Sequence, residues 1–222
     1  MQHLSCIPHT ALPSPAAMLK TLIVYLHLIA TCAAIGTIMI TDLRIVSKAM
    51  GYRVVIPPPE RFETRMVTVA LVVLYITGAL IVYIGLQANP DYLANQKVQA
   101  KLVLVALLTV NAVLLHRMVF PILGRSLPVS RWSRGDWATV ALSVSFSNNV
   151  WFFCAFLGIA RVWNGTVSVG FVLGVAMTAW LTVLLLVNIL LMLASRDEPK
   201  SKPDWIDLMK ASLSDFTSLR EN

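Results

Sequence analysis

Apolar residues fall into five long, nearly unbroken runs, at approximately 19–41, 66–87, 99–120, 137–160 and 167–194. Short stretches carrying charges, prolines and asparagines separate them. A bilayer core is crossed by about 20 helical residues, and each run reaches that length. Within lipid every backbone polar group must be satisfied inside the segment, so each run is predicted to be a helix. A transmembrane β-barrel would instead alternate apolar and polar positions over strands of about ten residues. These runs are continuous and do not. The predicted fold class is all-α: a polytopic membrane protein built as a bundle of five transmembrane helices over 19–194. A short non-cytoplasmic segment, 1–18, precedes the bundle. A cytoplasmic tail, 195–222, follows it.

Composition agrees with the pattern. Of 222 residues, 57 % are hydrophobic and 13 % charged, and the mean hydropathy is +0.74. A soluble domain carries about 25 % charged residues. The net charge of +7 would raise nucleic-acid binding in a soluble chain. Here the cations lie between the apolar runs, where they set topology, and no nucleic-acid partner is expected. Fourteen of the 18 cations fall in 42–65, 117–136 and the tail, on one side of the bundle. Only Lys20, Lys97, Lys101 and Arg161 fall on the other. The positive-inside rule then puts the N-terminus outside and the C-terminus in the cytoplasm, and the expected location is the bacterial inner membrane.

The first 17 residues hold three prolines and no Lys or Arg, unlike a secretory signal. The first helix is therefore expected to target itself, and Met18 offers an alternative start. Pro57-Pro58-Pro59 predicts a stiff, extended connection, and Pro121 and Pro128 mark the expected exit from the third helix. In the tail, Trp205, Met209, Leu213 and Phe216 share one face of a predicted amphipathic helix. That helix would lie on the membrane or pack against the chain's own loops. Cys6, Cys32 and Cys154 have no metal-like spacing. The chain contains no Walker A, HExxH, GxSxG or CxxC sequence, which argues against ATP-driven or hydrolytic chemistry.

Polar side chains inside apolar runs are costly and therefore informative. His27 lies eight residues into the first run, with Ala30, Thr31 and Ala34 following within two turns. Small residues permit close approach of a helix or a flat cofactor. His27 is read either as a haem-iron ligand or as a histidine bonded to a group on another helix. Lys101, about one turn into the third run, either snorkels outward or points inward at His27 or an acidic ligand group. His27, Lys101 and the second helix around Gly78 are expected to converge in the outer half of the membrane. His116 lies about 22 Å of helical rise from Lys101, so it is read as an interfacial histidine rather than a second haem ligand. Asp42 is expected to pair with Arg117 or Arg44. Asn111, Asn148, Asn149 and Asn188 bind a ligand or join helices. Gly170 and Gly174 form a GxxxG step for close packing; a protein partner or a second copy would associate through this step or through the tail.

Two stretches resemble a known family. Leu19-Lys20-Thr21-Leu22, Tyr25-Leu26-His27-Leu28-Ile29 and the closing Asp42-Leu43-Arg44 are similar to the opening helix of HemJ-type protoporphyrinogen oxidases, and more distantly of CopD-type membrane proteins. Gln99-Ala100-Lys101-Leu102 resembles the start of that family's third helix. The resemblance covers roughly 19–120. It implies a haem b cofactor with His27 as the haem-associated histidine and Lys101 as the functional lysine; Thr31, one turn from His27 on a similar face, is from its position the further candidate cofactor contact. The implied activity is oxidation of a porphyrinogen within the membrane. The chain departs from the pattern at Ala33-Ala34-Ile35-Gly36, where the family has a Trp-Phe stretch, and at Gln99, where it has His. Three functions therefore fit the sequence. One is a haem b-binding redox protein, which as an enzyme would be a membrane oxidoreductase. The second is a non-catalytic subunit or assembly factor of a membrane complex. The third is a small metal or metabolite transporter.

Overall fold

The structure, a computed structural model, describes residues 15–49 and 54–196. Among them the regular structure is entirely helical. Five helices are long and apolar enough to cross a membrane. They are α1 (Pro15–Ala49), α2 (Arg61–Ala88), α3 (Gln96–Gly124), α4 (Arg134–Ile159) and α5 (Val169–Ala194). The predicted amphipathic tail and the first 14 residues lie outside the described residues.

Most helices run past their apolar runs. α1 continues from Thr41 to Ala49, and α2 starts five residues before its run. The apolar run measures the part that needs lipid. The helix itself continues until its end groups are capped or a breaker intervenes. Capping side chains fix four starts. Glu60 donates its N–H to the Glu63 carboxylate at 2.9 Å ahead of α2. Asn95 accepts from Lys97 N–H at 3.0 Å ahead of α3. Ser133 and Asp136 form a reciprocal capping box on α4. Ser168 accepts from Phe171 N–H at 3.1 Å on α5.

Pro121 does not end α3, contrary to expectation. It has no N–H to give to the carbonyl four residues back, and its ring crowds that carbonyl. The helix absorbs this with a π-helical turn over Leu115–Val119, in which Phe120 N–H reaches Leu115 O. It then runs on to Gly124, and Ser126 turns the chain with φ +51°.

α1 packs along α2, and α4 packs along both α3 and α5. α1 also meets α5 and, to a lesser extent, α4. Half of α4's most apolar window is buried, against 11–22 % for the other four, so α4 is the central helix. This explains its polar content: a helix enclosed by protein can carry amides that lipid would penalise. Amide and indole groups join α4 to its neighbours. Asn111 donates to Ser143 O at 2.9 Å, and Asn149 to Ala176 O at 3.1 Å. Trp180 donates to Ser145 Oγ at 3.0 Å, and Trp137 to Asn188 Oδ1 at 2.9 Å.

Two apolar clusters fill the interior. One contains Ala34, Ala70, Ala100, Leu104, Leu157 and Val172. The other, at the cation-rich end, joins Val54 and Ile56 of the proline connection to Val119, Ile122, Val129 and Leu191. Val129 N–H donates to Val54 O at 3.0 Å, fastening two loops at that end. Outward faces carry Leu22, Tyr83, Val110, Leu185 and Met192, all exposed, as a lipid-facing coat requires.

Candidate functional site

His27 lies on the face of α1 turned toward α2. Its Nδ1 is 2.8 Å from Thr77 Oγ1. The Thr77 hydroxyl already donates to Val73 O, one turn earlier, at 2.7 Å. Its single proton is thereby used, so the oxygen accepts and the histidine donates from Nδ1. This fixes the Nδ1–H tautomer and leaves the Nε2 lone pair available. Among the described residues Nε2 has no hydrogen-bond partner. Gly78 follows Thr77 and lets the ring lie close to α2. A Cβ placed there would be 3.7 Å from His27 Cε1.

The hydroxyl bond is the ordinary arrangement for a histidine between helices. It occupies one ring nitrogen and presents the other. The same geometry is found when a protein orients a metal-binding imidazole, with the second nitrogen bonded to a neighbouring oxygen.

Lys101, at the start of α3, lies within electrostatic reach of His27. Its Nζ is 3.9 Å from the point where Gly158 would carry a Cβ, so the side chain runs along α4 rather than into lipid. Cys154, one turn before Gly158, is within the same electrostatic reach. Among the described residues no carboxylate pairs with Lys101. The structure therefore brings His27, Gly78 and Lys101 to one region at the cation-poor end. Thr31 is one turn further along α1, and its hydroxyl donates to His27 O at 2.8 Å. Thr31 thus ties α1 to itself, and a cofactor contact would have to share that hydroxyl. His116 lies in the π-helical turn of α3, exposed. Its Nδ1 donates to Ala112 O at 2.9 Å, and its ring packs on Phe120 at 4.8 Å between centroids.

Asp42 does not pair with Arg44 or Arg117. Residues two apart on a helix face opposite sides. Arg44 faces α2, with Nη1 at 3.2 Å from Glu60 and Nη2 at 2.9 Å from Glu63. Asp42 faces α4, where it lines a groove together with Asn148 and Asn149. Lys97 was legible in the sequence only as a topology charge. Its Nζ donates to Ala160 O at 2.7 Å and to Asn164 Oδ1 at 3.0 Å, closing the cation-poor end of the bundle. Gly174 meets no atom within 4 Å of its Cβ position, and Gly170 meets only the Ser168 hydroxyl. Among the described residues the GxxxG step is not used for close packing.

No family model matches the chain, and neither the curated proteins nor the solved structures contain a significant match.

Proposed function

We propose that this multi-pass membrane protein binds haem b through His27 Nε2 and uses it for electron transfer or oxidation of a small substrate in the membrane. The observation that carries the reading is the pairing of a tautomer-fixed imidazole having a free Nε2 with an unpaired Lys101 nearby. Haem makes two demands on a protein that this pair answers: a neutral nitrogen for iron and a cation for its propionates. His27 would hold the iron, Thr77 would hold the ring, and Lys101 would hold a propionate. When bound, haem supplies one-electron redox chemistry. The resemblance to HemJ-type oxidases assigns the same two residues, and Lys101 is on that basis the candidate for a role in turnover. The cation distribution supports a place in the bacterial inner membrane, with the N-terminus outside.

The test is an absorption spectrum of the detergent-purified chain expressed with added haem precursor. A Soret band is expected in the parent protein and in His116→Ala, and its loss in His27→Ala. A colourless parent protein, or equal loss in both variants, would end the haem reading. A second reading, a non-catalytic subunit of a membrane complex, is favoured by the open face at Gly170 and Gly174. It predicts a colourless protein that co-purifies with one partner and loses it on Gly174→Leu.

A further inference from the structure

Asp42 and Asn148 line a space that the His27 region does not use. Between α1, α4 and α5 lies a groove of about 440 Å³. Its walls include Asp42, Asn148, Asn149, Phe152, Phe153 and Phe156. That volume is within the range of about 300–1,000 Å³ typical of small-molecule sites.

The chemistry of the walls is selective. Asp42 is the one ionisable residue among them. The nearest cation along its helix, Arg44, is committed to Glu60 and Glu63 on the opposite side. Among the described residues no ion pair neutralises Asp42. Asp42 stands half-buried at the cation-rich border of the first apolar run, and with no protein cation to offset its partial desolvation a bound cation would relieve that cost. Asn149 spends an amide N–H on Ala176 O, and Asn148 lines the groove alongside the carboxylate. The remaining walls are aromatic. Phe153 is buried, while Phe152 and Phe156 are 43 % and 46 % exposed and present ring surface. Aromatic faces attract cations.

The groove does not suit a bare metal ion. Divalent cations require several oxygen ligands, and no group of three acidic, histidine or cysteine residues is found among the described residues. It does not suit an anion, which would face the carboxylate. One negative charge beside three phenylalanines matches a single positive charge on an apolar body. We propose that this groove binds a lipophilic organic monocation, its charged centre against Asp42 and its apolar groups along Phe152, Phe153 and Phe156. The site is independent of haem.

Equilibrium dialysis of the full chain in phosphatidylcholine nanodiscs tests this, with empty nanodiscs as the background. The probe is tetraphenylphosphonium. Its counterpart is tetraphenylborate, which has nearly the same shape and the opposite charge. Saturable phosphonium binding at one site per chain is expected, with none for the borate. Asp42→Asn should weaken the affinity at least tenfold, and Asp42→Glu should restore most of it. Phe152→Leu keeps the apolar volume and removes the ring face, and should weaken binding severalfold. It also serves as the test if Asp42→Asn fails to fold. Absence of saturable phosphonium binding overturns the proposal. So does equal binding of the borate, or an unchanged affinity in both Asp42→Asn and Phe152→Leu, since the groove would then be filled by apolar bulk such as a lipid chain.

Discussion

Replacing Thr77 with valine separates a ligand-orienting histidine from a merely structural one. The two side chains have nearly the same shape, so α2 keeps its packing. The substitution removes the acceptor 2.8 Å from His27 Nδ1 and the back-bond to Val73 O. The back-bond lies within α2, and its loss leaves the helix ladder intact. The interhelical bond to His27 is worth about 0.6 kcal/mol on average in membrane bundles. The folded chain should therefore lose little stability. Haem binding through His27, as proposed, should be weakened much more, because partners that orient a ligating imidazole typically contribute about 10–100-fold to metal affinity. That range corresponds to about 1.4–2.8 kcal/mol at 1.4 kcal/mol per tenfold. Without Thr77 the ring can rotate, and the proton can move to Nε2, where it blocks iron. The assay is titration of apo-protein with haem, followed by the Soret band, alongside thermal unfolding of the apo-protein. The expected result is affinity reduced at least tenfold with the unfolding midpoint nearly unchanged. Unchanged haem affinity would refute the tautomer argument. A large fall in the unfolding midpoint would show that the Thr77 bond holds the α1–α2 pair together instead of tuning the ring.

Three further outcomes follow from the packing. A Cβ at Gly85 would be 2.8 Å from three atoms of the Tyr92 ring. Gly85→Ala should thus cost about 1–3 kcal/mol of overpacking, and part of this should be recovered in the Gly85→Ala, Tyr92→Ala double variant, as thermal unfolding can measure. Trp137→Phe deletes the indole donor to Asn188 and should cost about 0.6–1.7 kcal/mol, whereas Trp132→Phe, whose donor is exposed and at 3.3 Å from Leu127 O, should cost less by the same measurement. A reporter fused after Asn222 should be active in the cytoplasm and one inserted in 88–97 outside; the reverse pattern would overturn the orientation drawn from the cations.

The five helices were legible because lipid imposes a simple demand on sequence, a run of about 20 apolar residues, and each run met it. Their true ends were not, because hydrogen bonding and capping carry a helix beyond the lipid-facing part. Pro121 misled for a related reason: a helix accommodates proline when a π-helical turn reassigns the carbonyl it leaves unpaired. His27, Gly78 and Lys101 were placed together by matched depth, counted along each helix from the cation-poor end. What depth cannot give is azimuth. The pairing of Arg44 with Glu60 and Glu63, and the place of Asp42 on the groove beside α4, depend on which side of α1 each faces. An ion pair of Asp42 with Arg117 or Arg44 fitted the sequence, and helix geometry puts Asp42 and Arg44 on opposite sides of α1. Thr77 carried no signal of its own, because a threonine in an apolar helix usually bonds its own carbonyl. Its role appears only when a histidine on another helix needs an acceptor.

α1 carries both His27 and Asp42, and its geometry keeps them apart. His27 and Asp42 are fifteen residues apart, or about 22 Å along the axis at 1.5 Å per residue. His27 is directed to α2 and Asp42 to α4. Sites separated by more than about 7–10 Å that share no partner act nearly additively. Asp42→Asn should therefore leave the Soret band and haem affinity unchanged, and Thr77→Val should leave phosphonium binding unchanged. A change in either cross-measurement would mean that α1 moves as a rigid element between two positions, coupling the regions by displacement rather than by contact. That outcome is physically allowed here because the α1 neighbourhood differs on its two sides. On one side α1 packs along the length of α2. On the other it meets α4 and α5 across the groove, where the phenylalanine walls leave space for it to shift.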